Sequence, residues 1–424
     1  MALSQNHIYA GGGIFRSNGG WNNFTETPAG GDARIILPVP NSSSILVGSD
    51  QGLFESPDFG SLWYPLDGNL ANSLITSVAV NNNGSSVLTA VQDYGPIGTF
   101  DGGIIWQNLY DAGGEDGEAA INPGNSSYAY LFTNVGLSYS SDGGRIFQPA
   151  NGLGANQWSF DGTINKIAFS PQNYNTMYIA TANGVYKSMD WGMNWNSTGW
   201  PITSPDSIAV DPRNGQEIIV GNETAIYVTK DGGAYWSQHN IPNTVDVAIS
   251  PLNDSIWFIG FSTPPAYGGG ILKSTDGGKT FESFNAGLPN ITNLLLLGQP
   301  FVTQMAFSAN GSDLALATSG GAYMSAQTSN SWENITGNAI PMYFTGITSN
   351  SNGFYASTYG EGVLKLVNYP SKIPHNATNG SASINVTKSS KPPGLLVAIE
   401  HVSADIVNFL TSIGNAIASL FSKI

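Results

Sequence analysis

Apolar and polar residues alternate in short runs along most of the chain, and this pattern predicts many short β-strands. In one stretch, KIAFS (166–170) alternates as a strand does, SPQNYN (170–175) is rich in turn-forming residues, and TMYIAT (176–181) and GVYKS (184–188) follow as two more strand patterns. A fourth strand is expected a few residues later. The same order recurs, so we predict a series of four-stranded sheets whose first strands begin near Ile35, Ile75, Glu118, Ile164, Ser207, Val245, Val302 and Met342.

A nine-residue motif recurs near the end of these units and defines a repeat. It occurs as ESPDFGSLW (55–63), GTFDGGIIW (98–106), YSSDGGRIF (139–147), KSMDWGMNW (187–195), VTKDGGAYW (228–236) and KSTDGGKTF (273–281). All six copies fit Ser/Thr-x-Asp-x-Gly-x-x-Trp/Phe, whose core a random chain of this composition would contain only roughly 0.15 times. We call this motif the box. Its aspartates are Asp58, Asp101, Asp142, Asp190, Asp231 and Asp276, and they lie 41 to 48 residues apart.

The length of the repeat fits one four-stranded blade of a β-propeller. Degenerate copies occur at 13–21, 321–332 and 362–366. We therefore predict an all-β fold, a single β-propeller of four-stranded blades, with eight blades favoured and seven as the alternative. The N-terminal strand is expected to complete the last blade and so close the ring, because closure removes exposed sheet edges.

The box residues are expected to have a structural role. An aspartate in a turn between strands accepts hydrogen bonds from backbone N–H groups, and the glycine after it tolerates a positive φ. The aromatic residue then folds back onto the blade. Six equivalent aspartates around a ring cannot all face one active centre, so we assign none of them a catalytic role.

These repeats resemble the Asp-box (BNR) repeats of sialidase-like, xyloglucanase-like and sortilin-like β-propellers, over about residues 8–366. The resemblance implies the fold but not one function, because the family includes enzymes, receptors and assembly factors. Sialidase activity would imply three arginines around the substrate carboxylate. Of Arg16, Arg34, Arg145 and Arg213, only Arg34 lies on a predicted inner strand, which argues against that activity.

A xyloglucanase-like activity would instead need two carboxylates across a groove. The segments VQDYG and DAGGEDGE resemble the QDNG and GGDG stretches on the axial-face loops of some Asp-box propellers, although Tyr94 replaces an asparagine. The candidate ligand- or cation-binding residues are Gln92, Asp93, Asp111, Glu115, Asp116 and Glu118. A catalytic pair, a cation or glycan site and ordinary turn chemistry all remain open, and we assign no catalytic residue. No cofactor is expected, apart from the option of a bound Ca²⁺.

Composition restricts the partners and suggests an exposed location. A net charge of −15 with only 14 Lys and Arg residues leaves no basic patch for nucleic acid, and the absence of cysteine excludes disulfides. The N-terminus has no signal-peptide pattern. Nevertheless, Asn-x-Ser/Thr sequons are abundant, and the candidate glycosylation sites are Asn23, Asn41, Asn83, Asn125, Asn196, Asn222, Asn253, Asn290, Asn310, Asn334, Asn376, Asn379 and Asn385.

Two further segments follow the predicted propeller domain (1–366). Residues 367–394 are rich in Ser, Asn, Thr and Pro, which is typical of a stalk or linker. Residues 395–424 place apolar side chains every three or four positions and predict an amphipathic helix. This helix would mediate oligomerisation, anchor the chain to an envelope or membrane, or dock on the propeller. A spanning helix is disfavoured because Glu400, His401 and Asp405 interrupt the apolar run.

From the sequence we therefore expect a surface-displayed recognition protein that binds a glycan or protein ligand and is anchored by its C-terminal helix. Sequons without a signal-peptide pattern are consistent with a virion protein, as on an archaeal virus. The alternatives are an extracellular glycoside hydrolase with paired carboxylates and an assembly scaffold.

Overall fold

The computed structural model describes residues 2–4, 7–10, 14–17, 24–27, 33–49, 52–66, 74–153, 166–199, 204–261, 270–289, 301–336, 343–366 and 386–388. The predicted C-terminal helix lies outside these residues. The described strands form nine four-stranded antiparallel sheets, each built from four consecutive strands. Between the strands lies one short 3-10 helix, Tyr110–Ala112. No helix in these ranges has the length and hydrophobicity needed to cross a membrane.

The nine sheets follow one another along the chain. The first, sheet N1, consists of Ala2–Ser4, His7–Ala10, Phe15–Ser17 and Thr25–Glu26; the second, sheet N2, consists of Ala33–Pro38, Ile45–Ser49, Gly52–Ser56 and Tyr64–Pro65.

The others are called blades 1 to 7. Blade 1 consists of Ile75–Val80, Val87–Val91, Ile97–Thr99 and Gln107–Asn108; blade 2 of Glu118–Ile121, Ala129–Thr133, Gly136–Ser140 and Gln148–Pro149; blade 3 of Ile167–Phe169, Met177–Thr181, Gly184–Ser188 and Asn196–Ser197. Blade 4 consists of Ser207–Val210, Ile218–Gly221, Ile226–Thr229 and Ser237–His239; blade 5 of Thr244–Ile249, Trp257–Phe261, Ile271–Ser274 and Glu282–Ser283; blade 6 of Val302–Phe307, Asp313–Thr318, Gly321–Ala326 and Glu333–Asn334; blade 7 of Phe344–Asn350, Gly353–Thr358, Val363–Leu366 and Val386–Lys388.

Blades 1 to 7 form a closed ring in which blade 7 packs against blade 1. The closure is made by hydrogen bonds between residues far apart in the chain. Asn350 Nδ2 donates to Asn81 O at 2.9 Å, and Asn352 Nδ2 donates to Asn83 O at 3.0 Å. The prediction of an all-β propeller of four-stranded blades is thereby confirmed, and the ring has the seven blades of the alternative.

The two N-terminal sheets explain why the sequence favours eight blades. Sheet N2 contains the Asp58 box and was counted as a blade, but it packs with sheet N1 through Ile14, Ile45 and Val47. The N-terminal strand Ala2–Ser4 pairs within sheet N1. It therefore does not complete the last blade, as the sequence had suggested.

The fourth strand of blade 7 comes from the C-terminal side instead. Val386–Lys388 pairs with Val363–Leu366, and Leu364 lies opposite Lys388. This strand falls within residues 367–394, which the sequence analysis assigned to a stalk or linker. The propeller therefore uses a chain segment beyond Leu366.

The ring blades are apolar on both faces. The second strands of blades 1 to 6 are buried at every position, and successive residues of a strand point to opposite faces. A separate apolar core fills the space between each pair of neighbours; Tyr178 of blade 3, for example, packs with Ile208 and Trp236 of blade 4. Each blade thus depends on a neighbour on either side.

The boxes make the turn between the third and fourth strands of their sheets. In blade 3, Ser188 Oγ donates to Asp190 Oδ1 at 2.9 Å and accepts a hydrogen bond from Gly192 N at 3.0 Å. Asp190 Oδ1 also accepts from Asn194 N, and Trp195 Nε1 donates to Gly192 O at 2.8 Å.

The box hydrogen bonds favour the ionised aspartates. The side-chain and backbone hydrogen bonds from Thr280 lower the pKa of Asp276 to about 2, and the pKa values of the other five box aspartates are also lowered. The structural role of these residues stays a prediction, and these hydrogen bonds are its support.

Removing residues 1–69 and 391–424 should leave a folded ring, because blades 7 and 1 contact each other without sheets N1 and N2. We expect fragment 70–390 to be soluble and to unfold cooperatively, within a few degrees of the full chain. Circular dichroism and calorimetry of both proteins would check this. A fragment that aggregates or unfolds gradually would mean that the N-terminal sheets are part of the ring's cooperative unit.

Ser188→Ala should destabilise the protein by about 1–3 kcal/mol, because the buried Gly192 N–H loses its acceptor. Ser331→Ala, at an exposed position of a degenerate copy, is the matched control and should change the free energy of unfolding by less than about 0.5 kcal/mol. Urea titration of the two variants measures the difference. Equal effects would contradict the structural role of the box serine.

Candidate functional site

Four of the six candidate residues come together on loops of blades 1 and 2. Gln92 and Asp93 lie between the second and third strands of blade 1, and Glu115 and Asp116 lie on the connection to blade 2. Asp116 N donates to Val91 O at 3.2 Å, which joins the two loops. Asp93 and Asp116 have positive φ values of 62° and 58°. Both carboxylates are therefore held on tight turns, a backbone conformation that aspartate tolerates better than most residues.

The connection 109–117 is fixed against blade 2 by a polar clasp around Asn134. Glu115 N donates to Asn134 Oδ1 at 3.1 Å, Asn134 N donates to Glu115 O at 3.2 Å, and Asn134 Nδ2 donates to Glu115 Oε1 at 3.2 Å. A Cβ on Gly117 would lie 1.8 Å from Phe132 O. Glycine is therefore required for this close approach.

The carboxylates interact electrostatically. Burial raises the pKa of Asp116 to about 6, and the nearby charges of Glu115 and Asp93 add to the rise. Asp116 is thus ionised at neutral pH but takes up a proton in mildly acidic solution. A carboxyl group of this kind can accept hydrogen bonds, attract a cation, or donate a proton near pH 6.

Aromatic side chains from blades 6 and 7 extend this surface. Tyr343 makes edge contacts with Phe301 and Tyr359, at centroid distances of 5.5 and 5.9 Å. Tyr359 OH donates to Gln92 Oε1 at 2.8 Å, so the aromatic row reaches the loop of blade 1. Tyr359 is 47% exposed and Tyr94 is 52% exposed.

We call this surface the loop strip. It consists of Phe301, Tyr343, Tyr359, Gln92, Asp93, Tyr94, Glu115 and Asp116. Sequence reasoning found the polar half of the strip but not Phe301, Tyr343 and Tyr359. These three residues come from blades 6 and 7, and no local motif marks them.

The other two candidates lie elsewhere. Asp111 is exposed, and its Oδ2 accepts a hydrogen bond from Phe147 N at 3.1 Å, so it braces the blade 2 box. Glu118 is buried in the inner strand of blade 2, where burial raises its pKa to about 8 against the opposing effect of Lys166. Neither residue belongs to the loop strip.

Glu118 is part of a second repeat that sequence reasoning missed. The same position of the seven inner strands holds Ser77, Glu118, Lys166, Ser207, Asp246, Gln304 and Gly346. Three of these side chains accept a hydrogen bond from the inner strand of the next blade: Ser77 Oγ from Ala119 N, Asp246 Oδ2 from Met305 N, and Gln304 Oε1 from Ile347 N. Lys166 forms an ion pair with Asp246 across blade 4.

A signal for this position does exist in the sequence. In six of the inner strands, a polar residue is followed by three apolar residues and then by another polar residue. These segments are SVAVN (77–81), EAAIN (118–122), KIAFS (166–170), SIAVD (207–211), DVAIS (246–250) and QMAFS (304–308). The segment GITSN (346–350) departs from that pattern. The recurring polar residues are links between blades, and we assign them no ligand.

No group of three His, Asp or Glu side chains within the described ranges is arranged to hold a metal ion. Binding of Ca²⁺ at the loop strip therefore stays a prediction.

The described sequons differ in accessibility. Asn222 is buried, and its Oδ1 accepts hydrogen bonds from Thr224 and Ala225, which makes it unsuitable as a glycan acceptor. Seven others are exposed, namely Asn41, Asn83, Asn125, Asn196, Asn253, Asn310 and Asn334. Several of them have a turn role, as where Asn83 Oδ1 accepts from Ser85 N at 2.9 Å. The remaining candidates, Asn23, Asn290, Asn376, Asn379 and Asn385, lie outside the described residues.

No family model and no curated protein matches the sequence. Among solved structures, the chain is similar to YCF48 from Cyanidioschyzon merolae, with 14% identity and a TM-score of 0.50 over 69% of this chain and 95% of that one. It is also similar to an ancestral GH74 enzyme, with 19% identity and a TM-score of 0.47 over 63% of this chain. The match spans only 36% of the GH74 chain.

A structure of YCF48 bound to D1 peptide also matches, with 15% identity and a TM-score of 0.45 over 70% of this chain and 96% of that one. At such identities the similarity concerns the fold alone. The match to YCF48 with a TM-score of 0.50 supports the β-propeller fold, and it assigns no function.

Asp116→Asn should stabilise the protein at neutral pH. Because the pKa of Asp116 in the folded state is about 6 and lies above the unfolded value near 3.9, ionisation of this carboxyl destabilises the fold increasingly from about pH 4 to 6 and fully above that range. We expect the free energy of unfolding to rise by about 1 kcal/mol at pH 7.5, allowing for screening at a half-exposed site, and to change little at pH 3.

Urea titrations at the two pH values would measure this difference. Asp254→Asn, at an exposed turn of blade 5, provides a control for the chemical change itself. An effect of Asp116→Asn that is equal at both pH values would contradict the electrostatic explanation.

Proposed function

We propose that this protein is a recognition protein that binds a glycan or protein ligand through the loop strip. The observation that carries the proposal is the row of contacting aromatic rings that ends beside an amide and three carboxyl groups. Exposed aromatic faces pack against sugar rings or apolar side chains, and the polar groups bind hydroxyl or amino groups. Recognition of this kind needs no catalytic residue, and the rigid ring holds the loops in place.

The proposal includes membership of the Asp-box propellers. Its support is the hydrogen bonding of the boxes, in which the serine or threonine, the aspartate and the glycine have the same contacts in blades 1 to 5 and sheet N2. This family contains proteins of several functions. The assignment therefore concerns how the blades are built and leaves the ligand to the loop strip.

The proposal also places the protein at an exposed surface, such as that of an archaeal virion. Its support is the number of sequons, seven of which are exposed in the described residues, and the composition of residues 367–394. Residues 395–424 would then anchor or oligomerise the protein. Glycopeptide mapping of the native protein would decide whether these asparagines carry glycans.

Binding should depend on the exposed tyrosines of the loop strip. We would screen glycan and peptide arrays with the full chain and measure the affinity of the best ligand by calorimetry. Tyr94→Ala and Tyr359→Ala should each weaken binding about 10-fold or more, as is usual for aromatic residues at the centre of an interface. Tyr359→Phe keeps the ring but loses the hydrogen bond to Gln92, and should retain most of the affinity.

Tyr235→Ala is the matched control, because Tyr235 is 70% exposed on the box turn of blade 4. It should not affect binding. If this variant weakens binding as much as Tyr94→Ala and Tyr359→Ala do, the ligand does not sit on the loop strip.

The raised pKa of Asp116 favours a second candidate, a glycoside hydrolase. A carboxyl group with a pKa near 6 is suited to act as a general acid in mildly acidic solution, with Asp93 or Glu115 as the second carboxylate. This candidate predicts hydrolysis of a polysaccharide, which Asp116→Asn would abolish while binding is kept. Binding without turnover favours the recognition protein, and neither binding nor turnover would favour an assembly scaffold.

A further inference from the structure

Sheet N2 has one apolar face that the described residues leave open. Strand pairing places Leu37 opposite Leu46, Gly48 opposite both Ile35 and Leu53, and Glu55 opposite Tyr64. On this face Ile35 is 50% exposed, Leu37 39%, Leu53 38% and Tyr64 53%. On the opposite face, Ile45 and Val47 are fully buried and pack with Ile14 of sheet N1. We call the exposed side the open face.

The same kind of sheet is covered on both sides elsewhere in the chain. The second strand of sheet N2 is fully buried only at Ile45 and Val47, whereas the second strands of blades 2 and 3 are fully buried at all five positions. Sheet N2 has the strand order and the box of a ring blade. It therefore has the architecture of a propeller blade with one neighbour missing.

The open face is large enough to matter for association. The exposed parts of Ile35, Leu37, Leu53, Tyr64 and Leu66, whose N–H donates to Leu53 O, amount to roughly 450 Å². This is about the size of the largest contiguous apolar patch on a typical monomer, which is often functional. These side chains alone would supply about half of the ~800 Å² that each partner contributes to a standard interface.

The ring of the same chain offers no surface of the matching kind within the described residues. Blade 7 contacts blade 1, so each of the seven blades already has a neighbour on both sides. A sheet face of the required shape and polarity is, however, present on sheet N2 of another copy. Two identical apolar faces are self-complementary about a two-fold axis, which is the commonest arrangement in homo-oligomers.

We propose that the open face of sheet N2 is an interface between two copies of this chain. Around a two-fold axis the open face of one copy packs on the same face of the other copy, and each covers the apolar side chains of its counterpart. Ile35, Leu37, Leu53 and Tyr64 of each copy then form a shared core. This dimer is independent of the ligand that binds the loop strip.

The test is the mass of the full chain in solution, by size-exclusion chromatography with light scattering or by sedimentation equilibrium. At about 100 µM chain, well above the dissociation constant of a stable complex, we expect a dimer or a larger assembly built from dimers. The double variant Leu37→Lys/Leu53→Lys should halve that mass or raise the dissociation constant at least 10-fold. Both side chains are partly exposed, so the sheet should tolerate lysine at both positions.

Ile105→Lys/Ile146→Lys is the matched control, because these residues are 63% and 67% exposed on the boxes of blades 1 and 2. It should leave the mass unchanged. Circular dichroism checks that each variant is folded, and Tyr64→Glu replaces the double variant if that one is not. A mass of one chain, 44.6 kDa, for the unaltered protein overturns the proposal. It is also overturned if the assembly survives the substitutions on the open face.

Discussion

The constraint on which this structure depends is that each four-stranded sheet is apolar on both faces. A sheet of this kind cannot stand alone in water, because burying one face still leaves the other exposed. Seven blades solve the problem by forming a ring in which every face meets another. Closure is therefore a requirement of burial. The last blade is connected to the first by an apolar core of Val78, Val87 and Tyr355 and by side-chain hydrogen bonds such as Asn350 to Asn81 O. No strand needs to be exchanged between the two ends of the chain.

A second constraint acts at the inner edge of each blade. The innermost strand has no further strand to pair with, so its backbone N–H groups need other acceptors. Ser77, Asp246 and Gln304 supply them from the preceding blade. The Cβ that Gly346 lacks would lie 2.7 Å from Gln304 Oε1, so glycine makes room for that acceptor. The buried polar residues near the axis are explained by this role, which directs the search for a ligand to the loops.

The sequence predicted the sheets well and their closure poorly, for a physical reason. Each sheet is made of consecutive strands, so local periodicity and the boxes identify it. Ring closure depends on contacts between residues about 270 positions apart, and the repeats in the sequence do not indicate which residues make these contacts. The Asp58 box was therefore counted as a blade although its sheet lies outside the ring. The candidate site was half predictable for the same reason, since Asp93 and Asp116 lie in recognisable turns while Tyr343 and Phe301 do not.

The two ends of the blades have different tasks. With consecutive antiparallel strands, the first and third turns of every blade lie at one end, and the box forms the third turn in blades 1 to 5. The second turn and the connection to the next blade lie at the other end. The box end is occupied by side chains that hold the backbone, such as Asp190 and Asn83. The other end carries Asp93, Asp116 and Tyr359, whose loops can differ from blade to blade without disturbing the sheets. The regular turns that stabilise the repeat lie at one end of the strands, and the variable loops lie at the other. The repeat can therefore stay regular while the loops of a few blades form the proposed recognition surface.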